Sequence, residues 1–147
     1  MKQMGTRNGK QATDKLRIIR FIPAIVWMAV IFALSSRTGD ELNTVLPLFQ
    51  KLFPGMTDFN WGHFIAYFLL AAAFDYGFGA RADRFVMKLV LILLCGIYGV
   101  TDEIHQSYVG GRMMDMMDVR NDMIGAAIWT IMISIPFVRK KWRRWTA

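Results

Sequence analysis

Four apolar runs constrain this chain more than any other feature: Ile18 to Leu34, Trp61 to Phe78, Phe85 to Val100 and Met123 to Val138. At 16 to 18 residues, each stands at the short end of what a hydrocarbon core of ~30 Å demands. Backbone in hydrocarbon must satisfy its own hydrogen bonds, which a single run can do only as a helix. The runs therefore predict an all-α membrane protein with four transmembrane helices and little tilt. Arg20, Lys88 and the terminal Trp and Arg residues snorkel or anchor at the helix ends. The 147 residues divide into a basic segment (1–17), a four-helix transmembrane domain (18–138) and a basic tail (139–147). A basic stretch before an apolar run is also the pattern of a signal peptide. Here L-S-S-R-T-G is a poor cleavage site and three more runs follow, so the first run reads as a retained helix.

The connections carry the rest of the organisation. Within Ser35–Asn60, the segment Glu41 to Phe53 places Leu42, Val45, Leu46, Phe49, Leu52 and Phe53 at helical spacing. At about 13 residues it is too short to span and suits an amphipathic helix lying in the interface, bent at Pro47 and ended by Pro54-Gly55. Lys and Arg counts set the orientation. The N-terminal segment with Arg20 holds six, the 79–88 loop three and the tail five, while the two remaining connections share only Arg37, Lys51, Arg112 and Arg120. The positive-inside rule places both termini and the 79–88 loop in the cytoplasm, with Ser35–Asn60 and Thr101–Asn121 outside.

This topology also accounts for the net charge of +7, because the basic residues cluster beside the apolar runs. No basic helix or stacking platform stands apart from them, which argues against nucleic acid as a partner. Cys95, the one cysteine, lies within an apolar run and can form no intrachain disulfide.

Chemistry concentrates between Thr101 and Gly125, where Asp102, Glu103, His105, Arg112, Asp115, Asp118, Arg120 and Asp122 interrupt a chain that is 54% hydrophobic. Asp115, Asp118, Asp122 and Gly125 step by three, four and three, which places them on one helical face. The predicted topology brings His63 and Tyr67 of the second helix to the same depth as Asp102, Glu103, His105 and Gln106 of the third. Histidine beside carboxylates is the makeup of a general acid/base, so His105, oriented by Asp102 or Glu103, is the candidate catalytic group. Arg112, after Gly110-Gly111, could present its fork to a phosphate or carboxylate, with His63, Tyr67, Gln106, Asp118 and Asp122 as further ligand-binding candidates. Two histidines with three or four carboxylates could also hold a divalent metal, although no ligand motif of diagnostic spacing is present. There is no G-x-S-x-G and no P-loop.

Each of these groups has a plainer reading. Asp102, Glu103 and His105 could form a structural network or helix cap, and Arg112 could close its loop on Asp115 or Asp118. Asp75 reads as structural, paired with Arg81, Arg84 or Lys88. Met113, Met114, Met116 and Met117 suit contact with lipid or neighbouring helices.

The run D-E-I-H-Q-S-Y-V-G-G-R, followed by D-x-x-D-x-x-x-D-x-x-G, resembles the VanZ-like family of small bacterial membrane proteins. The upstream H-F-I-A-Y and L-S-S-R-T-G resemble it too, so the likeness extends from about Phe21 to Ile135. D-E-x-H-Q followed by G-R is its specific part. The family's motif positions fall here on His63, Tyr67, Asp102, Glu103, His105, Gln106, Gly111, Arg112, Asp118, Asp122 and Gly125. The chain departs from the pattern at Gly110, where Pro is common, and at Asp122, where Asn is common. The Asp-Lys that often precedes the second-helix histidine is replaced by an offset Asp58. The family is named for a protein associated with teicoplanin resistance, so the resemblance implies a place in the bacterial inner membrane and an envelope role.

Three functions fit these residues. The first is an outward polar pocket binding an anionic envelope lipid or cell-wall precursor through Arg112. The second is an intramembrane hydrolase or transferase acting on a lipid head group. The third is a structural or partner-binding membrane protein. Transport fits less well, since four short helices leave little room for an alternating-access path.

Overall fold

A computed structural model describes residues 18–38, 41, 44, 47, 48, 50, 51, 54, 60–110 and 112–146. Among these the secondary structure is helical, with no strand: α1 (Ile22–Ser35), α2 (Asn60–Phe78), a 3-10 turn (Gly79–Asp83), α3 (Phe85–Gln106), α4 (Met116–Met132) and α5 (Pro136–Thr146). The basic segment 1–17 and most of the expected interfacial helix 41–53 lie outside the described residues. α2, continued through the 3-10 turn, and α3 are long and apolar enough to cross a membrane, and α4 with α5 makes a third if taken as one broken span. α1, at 14 residues, is a shorter apolar helix.

The distribution of polarity is that of a protein solvated by hydrocarbon. Ile25, Leu34, Ile65, Leu93, Ile97 and Ile131 are each more than half exposed, while Asp75, Asp102, Glu103, Gln106, Asn121 and Asp122 are buried. In water the reverse holds, because exposed apolar area is what folding removes. The middle of the bundle is packed by Ile31, Tyr67, Leu70, Ala71, Cys95, Ala126, Trp129 and Ile133. Two hydrogen bonds tie α1 to its neighbours at this level: Trp27 Nε1 donates to the Ala66 carbonyl at 2.8 Å, and Tyr98 Oη to that of Met28 at 2.6 Å. Such bonds serve in place of the hydrophobic effect, which gives helices in lipid no reason to associate.

Two breaks shape the chain. Gly79, at φ 58°, takes the left-handed conformation that ends α2 and starts the 3-10 turn. The second corrects the fourth run. Read by hydropathy it extends from Met123 to Val138 with a tail beyond, but α4 stops at Met132 and the tail forms α5, bent 94° away. Pro136 is the cause. It has no N–H to offer Met132, and its ring excludes the preceding turn, so it opens a new helix instead.

α5 is clamped by its charges. Arg143 donates to both oxygens of the buried Asp75, at 2.6 and 3.1 Å, and to Asp83 at 2.8 Å; Trp142 Nε1 adds a bond to Asp75 at 2.8 Å. Asp75 therefore pairs with the tail and not with Arg81, Arg84 or Lys88. Arg20 joins the same end, donating to the carbonyls of Tyr76 and Thr146. Removing one partner of a buried pair leaves the other uncompensated, at about 3–5 kcal/mol. Arg143→Ala should lower stability by that order in detergent unfolding, and Asp75→Asn combined with Arg143→Met should restore part of the loss.

Candidate functional site

At the opposite end of the bundle four helices meet around His63. Asp118 and Asp122, one turn apart on α4, both face its imidazole, where Asp122 Oδ1 lies 2.9 Å from Nδ1 and Asp118 Oδ2 lies 3.5 Å from Nε2. With Asp122 accepting from Nδ1–H, Nε2 is left as the nitrogen with the lone pair. α3 contributes two adjacent acids that point apart. Asp102 turns toward α1, accepting from Ser35 Oγ at 2.9 Å and Gln106 Nε2 at 3.0 Å. Glu103 turns toward α4, accepting from the backbone N–H of Asp115 at 2.7 Å. Asp115 itself is the N-cap of α4, accepting from Met117 N–H at 2.7 Å. It is exposed, so the buried acidic face consists of Asp118 and Asp122 beside Gly125.

The cluster is incompletely satisfied. Among the described residues five buried side-chain N or O atoms have no hydrogen-bond partner: Tyr67 Oη, Asp102 Oδ1, Glu103 Oε1, Asp122 Oδ2 and Trp129 Nε1. Four of the five belong to the His63 end of the bundle, on side chains no more than 3% exposed. An orphaned buried polar atom costs about 1–3 kcal/mol, so the unmet polar capacity of the described residues is concentrated at this end. One ring nitrogen of His63 and one oxygen each from Asp102 and Glu103 lie within 4.8 Å of one another, the arrangement of a metal ligand set.

Not every expected group joins. His105 faces α1, its Nε2 3.0 Å from Ser36 Oγ and its ring stacked on Phe32 with centroids 4.1 Å apart. Asp102 is engaged by Ser35 and Gln106, and no ion pair joins His105 to an acid among the described residues. Arg112 is half-buried in the connecting loop, its backbone N–H bonded to the Val109 carbonyl, with no ion pair to Asp115 or Asp118 among those residues. Tyr67 is fully buried, its ring parallel to that of His63 at 6.5 Å, and Gln106 serves Asp102. The four methionines Met113, Met114, Met116 and Met117 are exposed. Residues with no assigned role in the sequence now have one. Ser35 and Ser36, successive on α1, diverge to Asp102 and His105, and Asn121 Nδ2 reaches Asp118 at 3.4 Å. The L-S-S-R-T-G string was the available signal for the serines.

Two glycines make this packing possible. A Cβ on Gly125 would collide with the backbone of Phe64, so Gly125 is what lets α4 approach α2 one residue from His63. A Cβ on Gly99 would collide with Asp122 Oδ2, so the bare α3 backbone is the floor under that carboxylate. Overpacking of this kind costs roughly 1–3 kcal/mol. Gly99→Ala should leave the helical content intact while breaking the His63–Asp122 hydrogen bond. The downfield Nδ1 proton signal of that pair in NMR should then disappear, and Gly125→Ala should lower thermal stability as well.

No match was found among curated proteins or among solved structures. The VanZ/LLP1 family, in contrast, matches residues 20–138, a span that takes in α1 to α4 and every member of the His63 cluster. Over that length the chain belongs to the VanZ/LLP1 family.

Proposed function

We propose that this protein is an enzyme of the bacterial inner membrane, a hydrolase or transferase acting on the head group of an anionic lipid or lipid-linked cell-wall precursor. Its reaction centre is the cluster of His63, Asp102, Glu103, Asp118 and Asp122. The observation that carries this reading is the set of buried, unpartnered oxygens gathered beside a histidine whose tautomer is held by Asp122. Depth supports it. His63 is three residues into α2 and Glu103 three residues from the end of α3, which at ~1.5 Å per residue puts both about one turn below the helix ends. That is the level of lipid head groups. The positive-inside count then gives both termini to the cytoplasm and the cluster to the outer leaflet, with four membrane passes counting α1 and the broken α4–α5. Altered teicoplanin sensitivity would be a consequence of the changed envelope.

A second reading, an anion-binding protein without chemistry, is favoured by Arg112, which has no ion-pair partner among the described residues and stands in the loop entering α4. The acids weigh against it as a full account. Four carboxyl groups repel an anion unless something compensates them.

The lipids of four strains decide between the two: one without the protein, one with the wild type, and one each with His63→Gln and His105→Gln at matched membrane levels. A lipid or precursor species should change with the wild type, revert fully with His63→Gln and change largely as in the wild type with His105→Gln. Full activity in His63→Gln would hand the function to the Arg112 loop. For topology, Ser107→Cys, exposed at the end of α3, should react with an impermeant thiol reagent from outside intact cells, while the buried Cys95 stays silent.

A further inference from the structure

We propose that the His63 cluster binds one divalent transition cation, Zn²⁺ or Mn²⁺, through the imidazole of His63 and the free carboxylate oxygens of Asp102 and Glu103. The inference deepens the enzyme reading and rests on the same cluster, but it concerns binding and can stand or fall by itself.

His63, Asp102 and Glu103 each offer one ligand atom, an imidazole nitrogen or a carboxylate oxygen, and these atoms lie within 4.8 Å of one another. Ligands each about 2.1 Å from one ion sit roughly 3–4 Å apart, so small side-chain rotations close the set. Asp118 Oδ2, 3.5 Å from Nε2, is already at such a separation and is the candidate fourth ligand. The two α3 acids are also held in the right way. Each has one oxygen engaged, Asp102 by Ser35 and Gln106 and Glu103 by the Asp115 N–H, and its other oxygen unpartnered. A network that fixes one oxygen of a carboxylate and leaves the other bare is what a metal ligand requires.

A ligating histidine almost always donates its other N–H to a carboxylate, a backbone carbonyl or water, which fixes the ring and raises its basicity. Asp122, fully buried and 2.9 Å from Nδ1, stands in that position, within electrostatic reach of Asp102 and Glu103.

Among the described residues the only basic side chain in hydrogen-bond or ion-pair contact with these four acids is His63. A divalent cation offsets their mutual repulsion. One nitrogen among oxygen ligands favours Zn²⁺ or Mn²⁺ over Mg²⁺ or Ca²⁺, which prefer oxygen alone. With three protein ligands a tetrahedral Zn²⁺ keeps its fourth position open for an oxygen of a phosphate-bearing head group, and an octahedral Mn²⁺ keeps one open even with Asp118 bound. An acidic site could then accept an anionic substrate.

The test uses the full chain in phospholipid nanodiscs, stripped with a chelator and titrated with Mn²⁺ while the free-ion EPR signal is followed. We expect one Mn²⁺ per chain, displaced by Zn²⁺, with a rise in unfolding temperature on binding. His63→Gln and Glu103→Gln should bind none at concentrations that saturate the wild type. Asp122→Ala should bind 10–100-fold more weakly, the usual loss for an outer-shell partner. Glu41→Gln, which removes an exposed acid, should bind as the wild type does. Absence of stoichiometric binding to the wild type overturns the proposal whatever the variants do, and so does binding that persists in both His63→Gln and Glu103→Gln. Bound metal without any lipid change would leave the site standing and sink the enzyme reading; a lipid change without metal would do the reverse.

Discussion

The hydrogen bond between His63 and Asp122 joins α2 to α4 at the depth where the polar cluster begins, and the geometry of that cluster depends on it. It needs two helix backbones in near contact, which Gly125 provides against Phe64, and a carboxylate resting on bare backbone, which Gly99 provides. A charge-assisted bond between buried groups contributes about 1.5–3 kcal/mol. Its larger effect is orientation: with Nδ1 committed to Asp122, the chemistry of the imidazole is confined to Nε2, which faces Asp118. The spacing of Asp118, Asp122 and Gly125 then has one physical meaning. Each is about one turn from the next, and together they form the strip of α4 that touches α2 and α3.

Much of this was legible in the chain. Four apolar runs announced an all-helical membrane protein, and the three-four-three stepping picked out the acidic face of α4. What helical spacing cannot say is which side chain stands across from which. Asp102, His105 and Gln106 share a helix face, and that neighbourhood suggested a catalytic pair. Gln106 does meet Asp102, yet His105 turns to Phe32 and Ser36 because the end of α1 lies there. Ser35 was silent for a related reason: a serine at a helix end has many uses, and only its contact with Asp102 selects one. The bend after Met132 is hidden from hydropathy for a different cause. Hydropathy averages over Pro136 as if it were another apolar residue, whereas the backbone responds to its missing N–H.

The two ends of the bundle carry their charges in opposite ways. At the α5 end both oxygens of Asp75 are engaged, and Arg143 spends its fork on two acids, as a structural clamp should. At the His63 end Asp102, Glu103 and Asp122 each keep one oxygen bare. Since orphaned polar atoms destabilise, the second arrangement is tolerable only if the remainder of the fold compensates for it. The clamp, the aromatic contacts of Trp129 with Phe68 and Trp142, and the α1 hydrogen bonds are where that compensation comes from. Paired and unpartnered charge are thus separated along the bundle axis.

That separation bears on what the open end can accept. An anion-binding site would be expected to gather cations, whereas among the described residues Arg112 stays in the loop, Arg120 donates to Asn121, and four acids occupy the interior. An acid cluster with a single histidine suits a cation as its first occupant, or the proton traffic of a reaction, and an anionic head group only after one of these. The order matters physically: the charge that compensates the acids also creates the attraction for the anion. Were a head group to reach this depth, it would pass the exposed methionines at the entrance to α4, which present no charge to turn it away. In the proposed site, the residues that are costly to bury would lie about one turn below the helix ends, within reach of such a group.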